Sequence, residues 1–146
     1  MALKEIHGDE DEQFNQLRAY GQELRNTNPG STFYITVKAD GTFSTLYFAL
    51  DACKRGFLKG CRPIICFDGC HIKTKYGGQL LTTVGIDPND CIFPIAMVVV
   101  ETESTMTWEC FLTTLKNDLH IANTAPCTIM SDKQMVSVFV IHVSFS

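Results

Sequence analysis

Two aspartates occupy matching places in the chain. Asp68 directly follows the run Arg62-Pro63-Ile64-Ile65-Cys66-Phe67, and Asp132 follows Cys127-Thr128-Ile129-Met130 after one serine. Both runs are short and apolar, as strands covered on both faces are. Carboxylates brought together at the ends of neighbouring strands repel, and one pKa rises unless a cation sits between them. For hard oxygen ligands the natural cation is Mg2+ or Mn2+. Two such ions about 3.5–4 Å apart would clamp the attacking and leaving oxygens of a phosphodiester. A simpler reading stands beside this one: Asp-Gly after a strand is an ordinary turn, and Ser-Asp before Lys-Gln is an ordinary helix cap.

Other residues could do chemistry as well. Cys61, Cys66, Cys70 and His71 fall close together, but their C-x4-C-x3-C-H spacing lacks the C-x2-C knuckle that turns a chain around zinc. The seven cysteines are odd in number and lie in apolar or mixed segments, so reduced thiols without bound zinc are expected. His71, Lys73 and Lys75 follow Asp68 and are candidates for contacting DNA phosphates, or else form a solvated turn. Glu101 and Glu103 follow the third strand of the middle segment, where they would lie at the opposite end from Asp68. Trp108 reads as helix core rather than as a platform for a base.

Composition sets the limits. The chain has 146 residues, 45% of them hydrophobic and 19% charged, which suits one packed domain with a short leader. Its net charge of −4 excludes a uniformly basic nucleic-acid coat. Six of the 12 basic residues nevertheless fall within 53–75, against the single acid Asp68, whereas acids crowd the first 12 residues. The longest apolar run, 91–100, contains Pro94 and is too short to span a bilayer. The acidic N-terminus does not read as a signal peptide, so a cytosolic or nuclear setting is expected.

The elements that must position these residues follow from periodicity and turn chemistry. Phe14, Leu17, Tyr20 (or Gly21) and Leu24 make one face of a helix over 11–25, stopped by Pro29 and Gly30. Residues 32–37 and 42–49 flank Ala39-Asp40-Gly41 as a hairpin, and 50–58 forms a short helix. Strands at 62–67, 79–86 and 91–100 are joined by short links at Gly77-Gly78 and Asp87-Pro88-Asn89-Asp90, so they form an antiparallel meander. Ser104 or Thr105 then caps a helix carrying Trp108, Phe111, Leu112, Leu115 and Leu119 on one stripe. A loop at 123–126 leads to the fourth strand, 127–130. The crossover makes that strand parallel to the first and puts it beside it, so that Asp68 and Asp132 meet. The tail, 136–146, is apolar and β-rich.

In this arrangement the sequence resembles the Mutator-like element (MULE, or MuDR-type) transposases and their far-red-impaired-response relatives in plants. The resemblance is carried by Asn28-Pro29-Gly30-Ser31, GCRPIICFDGCHIKTKYGGQLLTTVGID (60–87), IFPIAMVVVETES (92–104), TWECFLTTLKNDL (107–119) and TIMSDKQ (128–134), and it covers roughly residues 15–134. It implies an α/β, RNase H-like core: a three-stranded antiparallel meander, a helix and a parallel fourth strand, preceded by a helix and hairpin. The chain then divides into a leader (1–59), a partial transposase domain (60–134) and a divergent tail (135–146).

The resemblance further implies a DDE-type strand-transfer mechanism with Mg2+ or Mn2+. Asp68 stands at the first catalytic position, in Asp-Gly-x-His, and Asp132 at the second, in Ser-Asp-x-Gln. The partner is DNA, through terminal inverted repeats in the parent family, and the setting is the nucleus. The family's third acid, a glutamate on a later helix, lies beyond these residues, as do its zinc-bearing regions. The chain as given is therefore expected to be an inactive, C-terminally truncated fragment that tends to self-associate. The alternative is a domesticated, non-catalytic regulator that binds DNA or protein.

Overall fold

Links as short as Gly77-Gly78 and the turn at 87–90 permit only antiparallel returns. The computed structural model, which describes residues 10–121 and 127–131, folds the middle of the chain as that meander. Strand β3 (Ile64–His71) pairs antiparallel with β4 (Gln79–Ile86), and β4 pairs antiparallel with β5 (Ile92–Val100). Gly77 and Gly78 take φ of 64° and 99°, and at Gly78 a Cβ would come within 3.0 Å of the Val100 carbonyl. Both conditions favour glycine. Asp87 closes the second turn, its Oδ1 accepting from the backbone N–H of Asn89 at 2.8 Å and of Cys91 at 2.9 Å.

The hairpin ahead of the meander is built into the same sheet. Strand β1 (Thr32–Val37) pairs with β2 (Phe43–Ala49), and β2 pairs antiparallel with β5 from Thr45↔Val100 to Phe48↔Met97. Strand β6 (Thr128–Ser131) lies beside β3 on the far side, and its parallel direction is the one a crossover through a helix produces. The six strands run β1-β2-β5-β4-β3-β6. With the three helices found among the described residues, the architecture is mixed α/β. Residues 122–126 and the tail after Ser131 lie outside the described residues.

Alternation along the strands gives the sheet two unlike faces. Helices α2 (Asp51–Gly60) and α3 (Thr105–Leu119) cover one face, burying Tyr47, Leu81, Val98, Ile65 and Phe67 under Trp108, Phe111, Leu112, Leu115 and Leu119. Helix α3 starts at a reciprocal cap. The Ser104 hydroxyl accepts from the Thr107 N–H at 3.2 Å, and the Ser104 N–H donates to the Thr107 hydroxyl at 2.9 Å. Strand β5 carries one extra residue, since Thr83 pairs with Ala96 and Val84 with Pro94. Ile95 and Ala96 are consequently both buried, and Pro94 sits at a bulge, where its missing N–H is tolerated.

Helix α1 (Glu10–Thr27) lies on the other face, over β1. Of the two candidates for its inner stripe, Gly21 is the buried one and Tyr20 is 62% exposed. A Cβ at Gly21 would collide with the Phe33 ring, so the close approach of α1 to β1 depends on the missing side chain.

Candidate metal and DNA site

Strand β3 is longer than its apolar run. It continues extended through Asp68 and Gly69 to His71, so Asp68 lies within a paired strand rather than in a turn. The ladder is unbroken there: Asp68 stands opposite Thr82, and Gly69 opposite Leu81. Phe67 points into the α3 face and meets the Trp108 ring edge-on, with centroids 6.0 Å apart. Asp68 therefore points to the opposite face, where it is exposed. Its Oδ1 accepts the Gly69 N–H at 2.9 Å, leaving lone pairs on both carboxylate oxygens for another partner.

Asp132 lies outside the described residues. The register leading to it is described. Ile64, Ile65, Cys66 and Phe67 pair in order with Thr128, Ile129, Met130 and Ser131. Phe67 and Ser131, the residues immediately before the two aspartates, are thus partners across the parallel pair.

The acids after β5 require a correction. Glu101 and Glu103 lie at the same end of the sheet as Asp68, not at the opposite end. The first and third strands of a meander run in the same direction, so their carboxyl ends coincide, and His71, Gln79 and Val100 form one row. Glu101 is paired with Lys38 of the hairpin at 2.6 Å, and this hydrogen-bonded contact raises the Lys38 pKa above its usual range. Glu103 is on the α3 face: its carboxylate oxygens lie 3.5 and 3.6 Å from where a Cβ on Gly69 would be. Its Oε1 accepts the Trp108 indole N–H at 3.0 Å. Glu103 thus lies on the reverse side of the strand from Asp68, as a brace rather than as a companion ligand. Sequence reasoning missed this role, although strand direction and the five-residue step from Glu103 to Trp108 both pointed to it.

His71 ends β3, and Lys73 and Lys75 lie on the β3–β4 loop. All three are exposed. The Lys75 ammonium stands 4.7 Å from the Tyr76 ring centroid. Trp108 is 4% exposed and belongs to the core. All seven cysteines are free thiols, and burial pushes the Cys53, Cys61 and Cys127 thiols above their usual pKa. Among the described residues no group of three or more His, Cys, Asp or Glu side chains is placed to hold a metal ion. Asp68 offers the hard oxygen donors that Mg2+ or Mn2+ prefer, and further ligands would have to come from residues outside that set. No helix among the described residues is long and apolar enough to cross a membrane.

The family model for the MULE transposase domain matches residues 64–145, more than half of the chain. That span starts at the first residue of β3 and includes Asp68, Glu103, Trp108 and Asp132. No curated protein and no solved structure gives a match. The chain belongs to the MULE transposase domain family.

Proposed function

We propose that the chain is an RNase H-like, transposase-derived domain that engages DNA, with Asp68 and Asp132 holding Mg2+ or Mn2+ for phosphodiester chemistry. The observation that carries this reading is the parallel β3–β6 register, with Phe67 opposite Ser131 and an aspartate following each of them in the sequence. Family membership supports the same assignment. When bound, the metal would polarise a phosphate oxygen and lower the pKa of a coordinated water or 3′-hydroxyl. Asp68 contributes an exposed carboxylate on an inner strand, its backbone paired with Thr82 of β4 and the preceding Phe67 paired with Ser131 of β6. Lys73 and Lys75 supply positive charge beyond it for the DNA backbone, and His71 a ring N–H donor. DNA as the partner makes the nucleus the expected compartment.

Mn2+ binding followed by electron paramagnetic resonance tests the assignment. Binding should weaken at least tenfold in Asp68→Ala and in Asp132→Ala, while both variants keep the wild-type fold by circular dichroism. Unchanged Mn2+ binding in either variant would refute the paired-aspartate site.

A further inference from the structure

The negative charge of the chain is concentrated at one place. Residues 1–12 carry Glu5, Asp9, Glu10, Asp11 and Glu12 against the single cation Lys4, a balance of −4, which equals the net charge of all 146 residues. Residues 13–146 are therefore neutral taken together, and half of the basic residues lie within 53–75. Glu10, Asp11 and Glu12 form the start of α1. Acids suit that position, because the helix dipole places partial positive charge there. The positions three and four residues further on, 13–16, hold no cation, so α1 supplies them with no ion pair of its own.

The first half of α1 runs beside the basic loop. Asn15 and Arg18 of α1 line a cavity of about 740 Å3 together with Thr74 and Gly77 of the β3–β4 loop and Gly41 of the β1–β2 turn. By helical period Asp11 shares the stripe of Asn15 and Arg18, four residues and about 6 Å nearer the helix start. That step is shorter than the screening length of about 10 Å at 0.1 M salt. Lys73 and Lys75 are exposed on the same loop. Lys38, the cation of the β1–β2 hairpin at this end, is held by Glu101 at 2.6 Å.

We propose that the acidic start of α1 screens the basic β3–β4 loop, acting as an internal competitor of DNA phosphates. The screening works through the field over the loop and requires neither lysine to be unpaired. The proposal rests on the DNA-engaging reading above and adds its regulation: affinity is set by the charge of α1 as well as by the loop. Neutralising the acids, by substitution or by a cationic partner, then strengthens DNA binding without any new contact to DNA.

Anisotropy of a short labelled duplex titrated in EDTA with the 146-residue chain is the test. The variant Glu10→Gln, Asp11→Asn should bind about threefold more tightly at about 0.1 M salt, and the gain should shrink as salt rises. Asp11→Asn alone should give a smaller gain of the same sign. Asparagine is a good residue at a helix start, so this variant keeps the test open if the pair frays α1. Glu23→Gln, Glu109→Gln removes equal charge from exposed positions elsewhere and should change affinity by less than about 1.5-fold. In a Lys73→Ala, Lys75→Ala background the gain from the α1 variant should disappear. An unchanged affinity of both α1 variants overturns the screening and leaves the DNA-engaging reading intact. An equal gain in the remote variant, or a gain that survives loss of both lysines, does the same. Absence of binding by the wild type and by every variant overturns both.

Discussion

The two faces of the sheet handle charge in opposite ways. On the α2–α3 face, Lys54 and Asp118 meet at 2.6 Å with side chains only 9% and 12% exposed. Lys54 also donates to the Gly30 carbonyl at 2.8 Å and to the Thr32 hydroxyl at 3.2 Å. Asp118 accepts from the Thr32 hydroxyl at 2.6 Å and from the Tyr47 hydroxyl at 3.0 Å. Charge here is enclosed and satisfied, and it ties the hairpin and α2 to the end of α3. On the other face Asp68 is left in water, with Lys73 and Lys75 on the loop beyond. The first arrangement fixes the fold. The second places a carboxylate and exposed cations at the surface.

That contrast fails if the enclosed charges prove dispensable. Lys54→Met strands a buried carboxylate against Tyr47 and Thr32 and should cost about 3–5 kcal/mol. Urea denaturation followed by circular dichroism would measure the loss. A combined Lys54→Met, Asp118→Leu variant removes both charges and should recover much of it. A single variant as stable as the wild type would mean that the pair is not enclosed in solution.

Alkaline pH tests the same cluster without a charge mutation. Burial, and then the Asp118 charge, push the Tyr47 phenol above its ordinary value of 10.0. Above about pH 10 the unfolded chain releases a proton that the folded chain keeps, so the folded state binds more protons and stability falls as pH rises. The contribution is complete below pH 10 and is lost above it. Tyr47→Phe should flatten this slope. It should also cost about 1–3 kcal/mol at neutral pH, because Asp118 loses a donor. An unchanged alkaline slope would place the titration elsewhere.

Behind Asp68, on the α3 face of the sheet, Glu103 holds Trp108. Trp108→Phe keeps an aromatic ring against Phe67 but removes the indole donor at 3.0 Å. The expected cost is about 1–2 kcal/mol, combining one hydrogen bond to a charged group with some lost ring volume. Glu103→Gln keeps an acceptor and should cost less. If Glu103→Gln instead weakened Mn2+ binding as much as Asp68→Ala, Glu103 would be a ligand and its position behind the strand would be wrong.

Local patterns made most of the fold legible in the sequence. The stripe from Trp108 to Leu119, the Ser104 cap and the short links of the meander each follow from residues close in the chain. The parallel direction of β6 followed from crossover geometry, and the structure sets it beside β3. Features that depend on distant residues were not legible. Lys54 finds Asp118 across 64 positions, and β2 joins β5 through Thr45 and Val100, so the hairpin read as a leader rather than as part of the sheet. Gly21 was indistinguishable from Tyr20 as the inner residue of α1, because the choice is made by the Phe33 ring pressing on that turn. Asp-Gly suggested a turn after Phe67, but pairing with Thr82 and Leu81 on β4 keeps β3 extended. The candidate site residues stood out in the sequence by type and order, whereas the side of the strand on which Asp68 and Glu103 lie did not.

The smallest expected effect on stability belongs to the residue with the largest expected role. Asp68 is exposed, and its side chain accepts only the N–H of its own neighbour among the protein groups described. Asp68→Asn keeps that acceptor and the strand's shape, so stability should change by no more than about 0.5 kcal/mol. The same substitution removes the anionic oxygen that a hard divalent cation requires, so Mn2+ binding should fall at least tenfold in the same sample. Paired denaturation and Mn2+ titration of this variant compare the two faces directly. A loss of stability as large as that of Lys54→Met, with Mn2+ binding unchanged, would assign Asp68 to the scaffold and remove the distinction between the closed face and the open one.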